Sequence, residues 1–417
     1  MSEIALAPLA YHRAVLAHVR RTDEAAWRSL HGRLGTPAAE PDDGHGGNSG
    51  TATVDDRGLP ESLLRNAYRL EPAGHPELHE AARRAGTALG LTGPVEFFQV
   101  QGGPANASLL YQPDHTVILF SGSLLDLLDH DELTAICGHE LAHQLLWTLD
   151  DGAYLAVDRL LDAAAGDART PPQYLETGRR WAMACELFAD RGALTACGNL
   201  ATTVRALLKV QTGLAQVDPD AYLRQAAEVD LSSGSRGTSH PEGVARAWAL
   251  RGWLAGEDVE GVVTGPLDVD APDVLDAAML RELAGRFASH VAAESELSSP
   301  VVATHAAAFF DPPPAELPTP AGPFPRFDEP LAMRPVDGLP MPRPRALTPA
   351  TQRFLGYLLL DLATADPDTG DAGLSAAIRI ARQAGLSTFE DLADDELGWS
   401  DKRRAELVAA ASVERLW

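Results

Sequence analysis

Apolar positions along the chain recur with two different periods, and the change from one to the other divides it into elements. Over residues 9–31 they return every 3.6 residues, which predicts one amphipathic helix. Residues 61–90 repeat the helical pattern. Three short stretches, 95–100, 107–112 and 115–120, are β-branched or aromatic and bounded by Gly, Pro or Asp, so they read as strands. From 122 to 256 the period is almost wholly helical, and a further helix is predicted over 272–293. Helical patterns resume after 349, at Phe354–Leu360, Leu374–Ala384 and Arg403–Ala411. The fold class that follows is α+β and mostly α-helical: a small antiparallel sheet beside packed helices, with a C-terminal helical bundle.

Two segments interrupt these patterns. Gly35 to Pro60 is rich in Gly, Asp, Pro and Ser and predicts a mobile loop. About half of the 30 prolines fall between Pro300 and Pro349, which predicts an extended, partly polyproline II linker or strap. The domain boundaries expected are therefore 1–60 for an N-terminal helix and loop, 61–299 for the main domain, 300–348 for the linker and 349–417 for the C-terminal helices.

Within the long helical region, residues 139–143 read His-Glu-Leu-Ala-His. Histidines four apart on a helix share a face and can hold one metal ion, with the intervening glutamate within reach of a metal-bound water. The helix itself is well specified. Asp129 and Glu132 stand in capping-box spacing, and Leu133, Ile136, Ala142 and Leu146 follow the helical period. Gly138 is costly inside a helix and predicts the close approach of another backbone. A catalytic zinc takes three protein ligands and leaves one position open. A third histidine six residues past His143 is absent, since that position is Leu149. A carboxylate from another helix is the next source, and Cys185 to Asp190 supplies it: Glu186 and Asp190 share a face, Glu186 as ligand and Asp190 as acceptor of a histidine ring N–H. Glu176 is a rival on the same predicted helix, but it falls on a different face and has no acidic residue four positions on.

Beyond the metal motif, the chain shows Asn106-Ala107, then Val117 to Phe120 followed by Ser121-Gly122, then Asp131-Glu132-Leu133, then Glu186 with Ala189-Asp190, and finally His240-Pro241 with Arg246. In this order, over about residues 75–255, they resemble the HtpX and type-one CaaX prenyl protease family of zinc metallopeptidases, family forty-eight of the peptidases. The resemblance implies a gluzincin-like core and a zinc-dependent endopeptidase. It assigns His139, His143 and Glu186 to one Zn2+ per chain, Glu140 to the general base, and Asp190 to the support of a ligand. It further implies that His240 faces the oxyanion with Arg246 on the same helix behind it, and that Asn106 and Ala107 lie on an edge strand to which an extended substrate adds. The expected substrate is a peptide or an unfolded protein.

Composition adjusts this picture. Acidic residues exceed basic ones, 59 against 34, for a net charge of −25, which disfavours nucleic acid and anionic membranes as partners. No apolar run approaches the roughly 20 residues needed to span a bilayer. The first residues do not read as a signal peptide, and the three cysteines suit a reducing compartment, so a cytoplasmic location is expected. The C-terminal helices carry no catalytic constellation and suggest a site for a protein partner. A second reading follows from that, a silent or latent zinc-fold scaffold, against which stands Glu140, a residue that a structural zinc site does not need.

Overall fold

The computed structural model describes residues 6–22, 27, 61–112, 115–237, 239–320, 322, 326–331 and 344–412. The loop expected over 35–60 and the end of the helix expected to residue 31 lie outside them. The chain divides into two compact units, residues 1–168 with 178–264, and residues 169–177 with 265–417.

The first unit begins with α1 (Ala10–Thr22) and α2 (Glu61–Asn66), which runs straight into the strand β1 (Ala67–Arg69). Then come α3 (Pro76–Leu89), β2 (Val95–Val100), β3 (Asn106–Tyr111) and β4 (Thr116–Ser121). The strands form one sheet of order β1-β2-β4-β3. It is mixed, not antiparallel as expected: β1–β2 and β3–β4 are antiparallel, but β2 and β4 run parallel. The reason lies in the connection after β2. Gly102 and Gly103, at φ of 77° and 83°, let the chain skip a strand position, so that β3 forms the edge and the hairpin returns β4 into the gap beside β2. β1 was also unforeseen. Three residues are too few to show a period of two, and only pairing with Phe98, Gln99 and Val100 defines them as a strand.

Phe97 and Phe120 are fully buried with ring centres 6.1 Å apart. Val117 and Phe98 pack with Leu63, Leu64 and Leu110. After the short α4 (Leu124–Leu127) comes α5 (His130–Thr148), which packs against α3 and β3. Its predicted capping box is formed: Asp129 accepts from the Glu132 N–H at 2.9 Å, and Glu132 accepts from the Asp129 N–H at 2.8 Å. The unit continues through α6 (Ala153–Ala165), α7 (Pro172–Cys197), whose first turns belong to the other unit, α8 (Leu200–Thr212), α9 (Pro219–Glu228), α10 (Gly243–Leu254) and α11 (Gly261–Thr264). Leu194, Val204, Leu208, Ala226, Ala247 and Leu250 make a core shared by α7 to α10.

The second unit holds α12 (Val274–Ala292), α13 (Pro300–Ala307), α14 (Pro349–Thr364), α15 (Gly370–Gln383), α16 (Phe389–Leu397) and α17 (Asp401–Ala411). Here the extended linker needs correction, because its first residues are helical. Pro300 stands in the first turn of α13, where its missing N–H costs nothing, after Ser299 caps the helix by accepting from the Val302 N–H at 3.2 Å. Residues 265–299 group with the C-terminal helices, whereas the sequence placed them in a domain running to 299. A buried ion pair between Arg345 and Asp276 and the pairing of Leu267 with Leu347 tie this segment to residues just before α14.

Candidate metal centre

Two glycines bring the helices of the site together. A Cβ on Gly138 of α5 would lie 2.5 Å from the Ala196 side chain and 3.1 Å from the Gly192 carbonyl oxygen on α7. One on Gly192 would collide with the Ala142 side chain and stand 3.0 Å from the Gly138 carbonyl oxygen. Each helix is therefore bare of side chain where it meets the other, and the two backbones touch. This fulfils the expectation for Gly138. Gly192 was not singled out, although glycine inside a strongly helical run was the available signal.

One turn and a half before Gly192 on α7, Glu186 reaches the two histidines. Its carboxylate oxygens lie 3.5 Å from His139 Nε2 and 3.5 Å from His143 Nε2. Donor atoms of His139, His143 and Glu186 all fall within 4.8 Å of one another. Bonds of about 2.0–2.1 Å to a tetrahedral ion would separate its donors by about 3.4 Å. Two imidazoles and a carboxylate, with space left beside them, thus fit a catalytic zinc in both spacing and donor type. Neither Glu176 nor a cysteine belongs to this group.

The surroundings are charged and largely buried. Asp190 Oδ1 lies 3.1 Å from His139 Nδ1, on the side of the ring away from Glu186. Arg246 of α10 grips Asp190 with both arms, Nε to Oδ2 at 2.8 Å and Nη2 to Oδ1 at 2.6 Å, and its Nη2 is also 3.4 Å from Glu186. Burial opposes charge on Glu186, but the two histidines and Arg246 outweigh it and hold the carboxyl well below the usual range. Burial likewise opposes charge on His139, and Asp190 with Glu186 overcomes it, so the ring is pushed up to about 10. Glu140 is buried beside the group, and that burial raises its carboxyl.

The structure also places the residues named from the resemblance. Asn106 and Ala107 are the first residues of the edge strand β3 and line the same cleft, of about 720 Å³, as His139, Glu140, His143 and Glu186. His240 stands at its rim, 58% exposed, with Nε2 3.4 Å from Glu186. It is not on the helix of Arg246: it lies in the loop before α10, which starts at Gly243. That loop is tied back on itself. Glu242 accepts from the Ser235 hydroxyl and from the Arg236 N–H at 2.9 Å, and Arg179 Nη1 donates to the Gly237 carbonyl at 2.7 Å. The guanidinium of Arg246 is committed to Asp190 and Glu186.

Residues 72–158, which include the His139–His143 motif, match the model of peptidase family M48. That stretch is similar to peptidase family M48. Among similar proteins is the plastoglobule-localized metallopeptidase 48, chloroplastic, of Arabidopsis thaliana, 28% identical over 200 residues, 42% of this chain and 56% of that one. The protease HtpX homolog of Desulfatibacillum aliphaticivorans is 23% identical over 193 residues, 46% of this chain and 58% of that one. A second HtpX homolog, from Salinibacter ruber, is 31% identical over 80 residues, 19% of this chain and 29% of the relative. The chain spans somewhat over half the length of the first two. No solved structure matches the chain. Among the described residues, no helix is long and apolar enough to cross a membrane.

Proposed function

We propose that this protein is a zinc-dependent endopeptidase acting on extended peptide segments. The observation that carries this reading is the convergence of His139, His143 and Glu186 around one point, with Glu140 buried beside it. A zinc ion held there supplies Lewis acidity and a bound water ionisable near pH 7. Glu140 takes the proton from the attacking water and passes it to the leaving amine, and its burial makes it a stronger base for the first transfer. Asp190 fixes the His139 ring, and Arg246 holds Asp190 and Glu186 in register. His240, at the rim, donates to the carbonyl oxygen as that oxygen gains charge. Asn106 and Ala107, on the free edge of β3, receive the substrate main chain as an added strand.

The test compares zinc content and casein cleavage in the wild type, Glu140→Ala and Glu186→Ala. About one zinc per chain with cleavage is expected in the wild type. Glu140→Ala should retain the metal while losing at least about 100-fold in rate, and Glu186→Ala should lose most of the metal. Undiminished cleavage by Glu140→Ala would remove it from the mechanism, and a full zinc complement in Glu186→Ala would show that the third ligand lies elsewhere.

A further inference from the structure

The cleft contains one carboxylate that the chemistry above does not use. Asp158, on α6, lines it together with His143, Trp147, Ala182 and Cys185. One of its oxygens accepts a hydrogen bond from Trp181 Nε1 at 3.1 Å. Among the described residues no lysine or arginine is in ion-pair contact with it: its neighbour in sequence, Arg159, contacts Asp162 at the surface, and Arg159 and His143 offset its charge only in part. A carboxylate offers about four acceptor positions, so most of this one's capacity is unspent. Its surroundings are unfavourable for an idle charge: the indole of Trp147 lies beside His143, ring centres 5.9 Å apart, and Cys185 is buried. Burial, followed by the repulsion of Asp162, raises the Asp158 carboxyl above its ordinary range. A charge kept partly out of water without an ion-pair contact is a cost that folding alone does not require, since an asparagine would accept from Trp181 equally well.

We propose that Asp158 is a specificity-determining residue: it receives a cationic side chain, lysine or arginine, from the substrate residue next to the scissile bond. This rests on the reading of the cleft as a peptide site. The Trp147 ring and Ala182 line the approach for the aliphatic stem of such a side chain, and the carboxylate receives its charged end. A peptide whose scissile carbonyl lay beside His139 and His143 would present its neighbouring side chain to Asp158, which lines the same cleft.

The experiment uses the zinc-loaded Glu140→Ala protein, which is expected to bind peptides without cleaving them. Pairs of peptides differing only in lysine against its uncharged isostere norleucine, at each position flanking the scissile bond, are titrated by calorimetry. At one position lysine should bind at least about tenfold tighter, and adding Asp158→Asn, at equal zinc content, should abolish the difference. Binding with no lysine preference at any position, or a preference that survives Asp158→Asn, overturns the assignment while leaving the peptide site intact. Failure of every peptide to bind overturns both. The comparison of lysine with norleucine in the parent protein needs no second substitution, so the proposal stays open to refutation even if Asp158→Asn does not fold.

Discussion

Individual residues show which parts of the site can be read from a sequence. The His139–His143 pair and the Glu186–Asp190 pair are each four apart on one helix, and helical geometry alone puts each pair on one face. The partnership of Arg246 with Asp190 spans 56 residues and has no local signature; it appears only when α10 packs beside α7. His12 is a similar case. It is fully buried, its Nδ1 accepts from the Leu9 N–H at 3.3 Å, and its ring lies edge-on to Trp181 at 4.9 Å. Burial, reinforced by Arg191 and Arg13, lowers its pKa to about 3. Between that value and about 6.5, the unfolded chain binds a proton here that the folded one refuses. Its contribution is therefore intact above about pH 6.5 and is lost as pH falls, by about 2 kcal/mol at pH 5. Denaturant titrations with chelator present should show a shallower acid loss in His12→Gln than in the wild type. Parallel profiles would mean that His12 titrates normally.

At the scale of elements, periodicity identifies helices well and their neighbours poorly. Helix α5 could be placed from its capping box and apolar spacing, because both are local. β1 was hidden by its length, and the parallel pairing of β2 with β4 depends on a crossover that no strand pattern encodes. Pro300 was misread because proline marks a helix start as readily as an extended chain, and Ser299 before it was the deciding signal. The crossing of α5 and α7 is where an element property becomes a functional one. Glu186 meets His139 and His143 only if the backbones touch at Gly138 and Gly192, so Gly192→Val should spread the helices and weaken zinc binding at least about tenfold, with no ligand altered. Val, being β-branched, cannot swing clear of Ala142. Metal titration against a competing chelator reads the effect directly, and an affinity equal to the wild type's would mean that the crossing tolerates separation.

For the whole molecule, the governing quantity is the charge of −25, which sequence supplies completely while saying nothing of where the units divide. The boundary at 264/265 depends on Arg345 meeting Asp276, a contact across 69 residues. An acidic molecule of this charge attracts cationic peptides over distances set by salt, whereas a contact with Asp158 acts at hydrogen-bond range in a partly buried cleft. The two contributions separate experimentally. Raising ionic strength from about 20 to about 300 mM shortens the screening length from about 20 Å to about 6 Å. The kcat/KM for a peptide with basic residues remote from the scissile bond should then fall about three- to tenfold, in the wild type and in Asp158→Asn alike. The preference for lysine over norleucine beside the bond should change far less, because the ions that screen the outer field do not enter the contact. A flat salt profile would assign the acidic surface to solubility alone. A lysine preference that vanished together with the salt-dependent attraction would place the selectivity in the general field and not in Asp158.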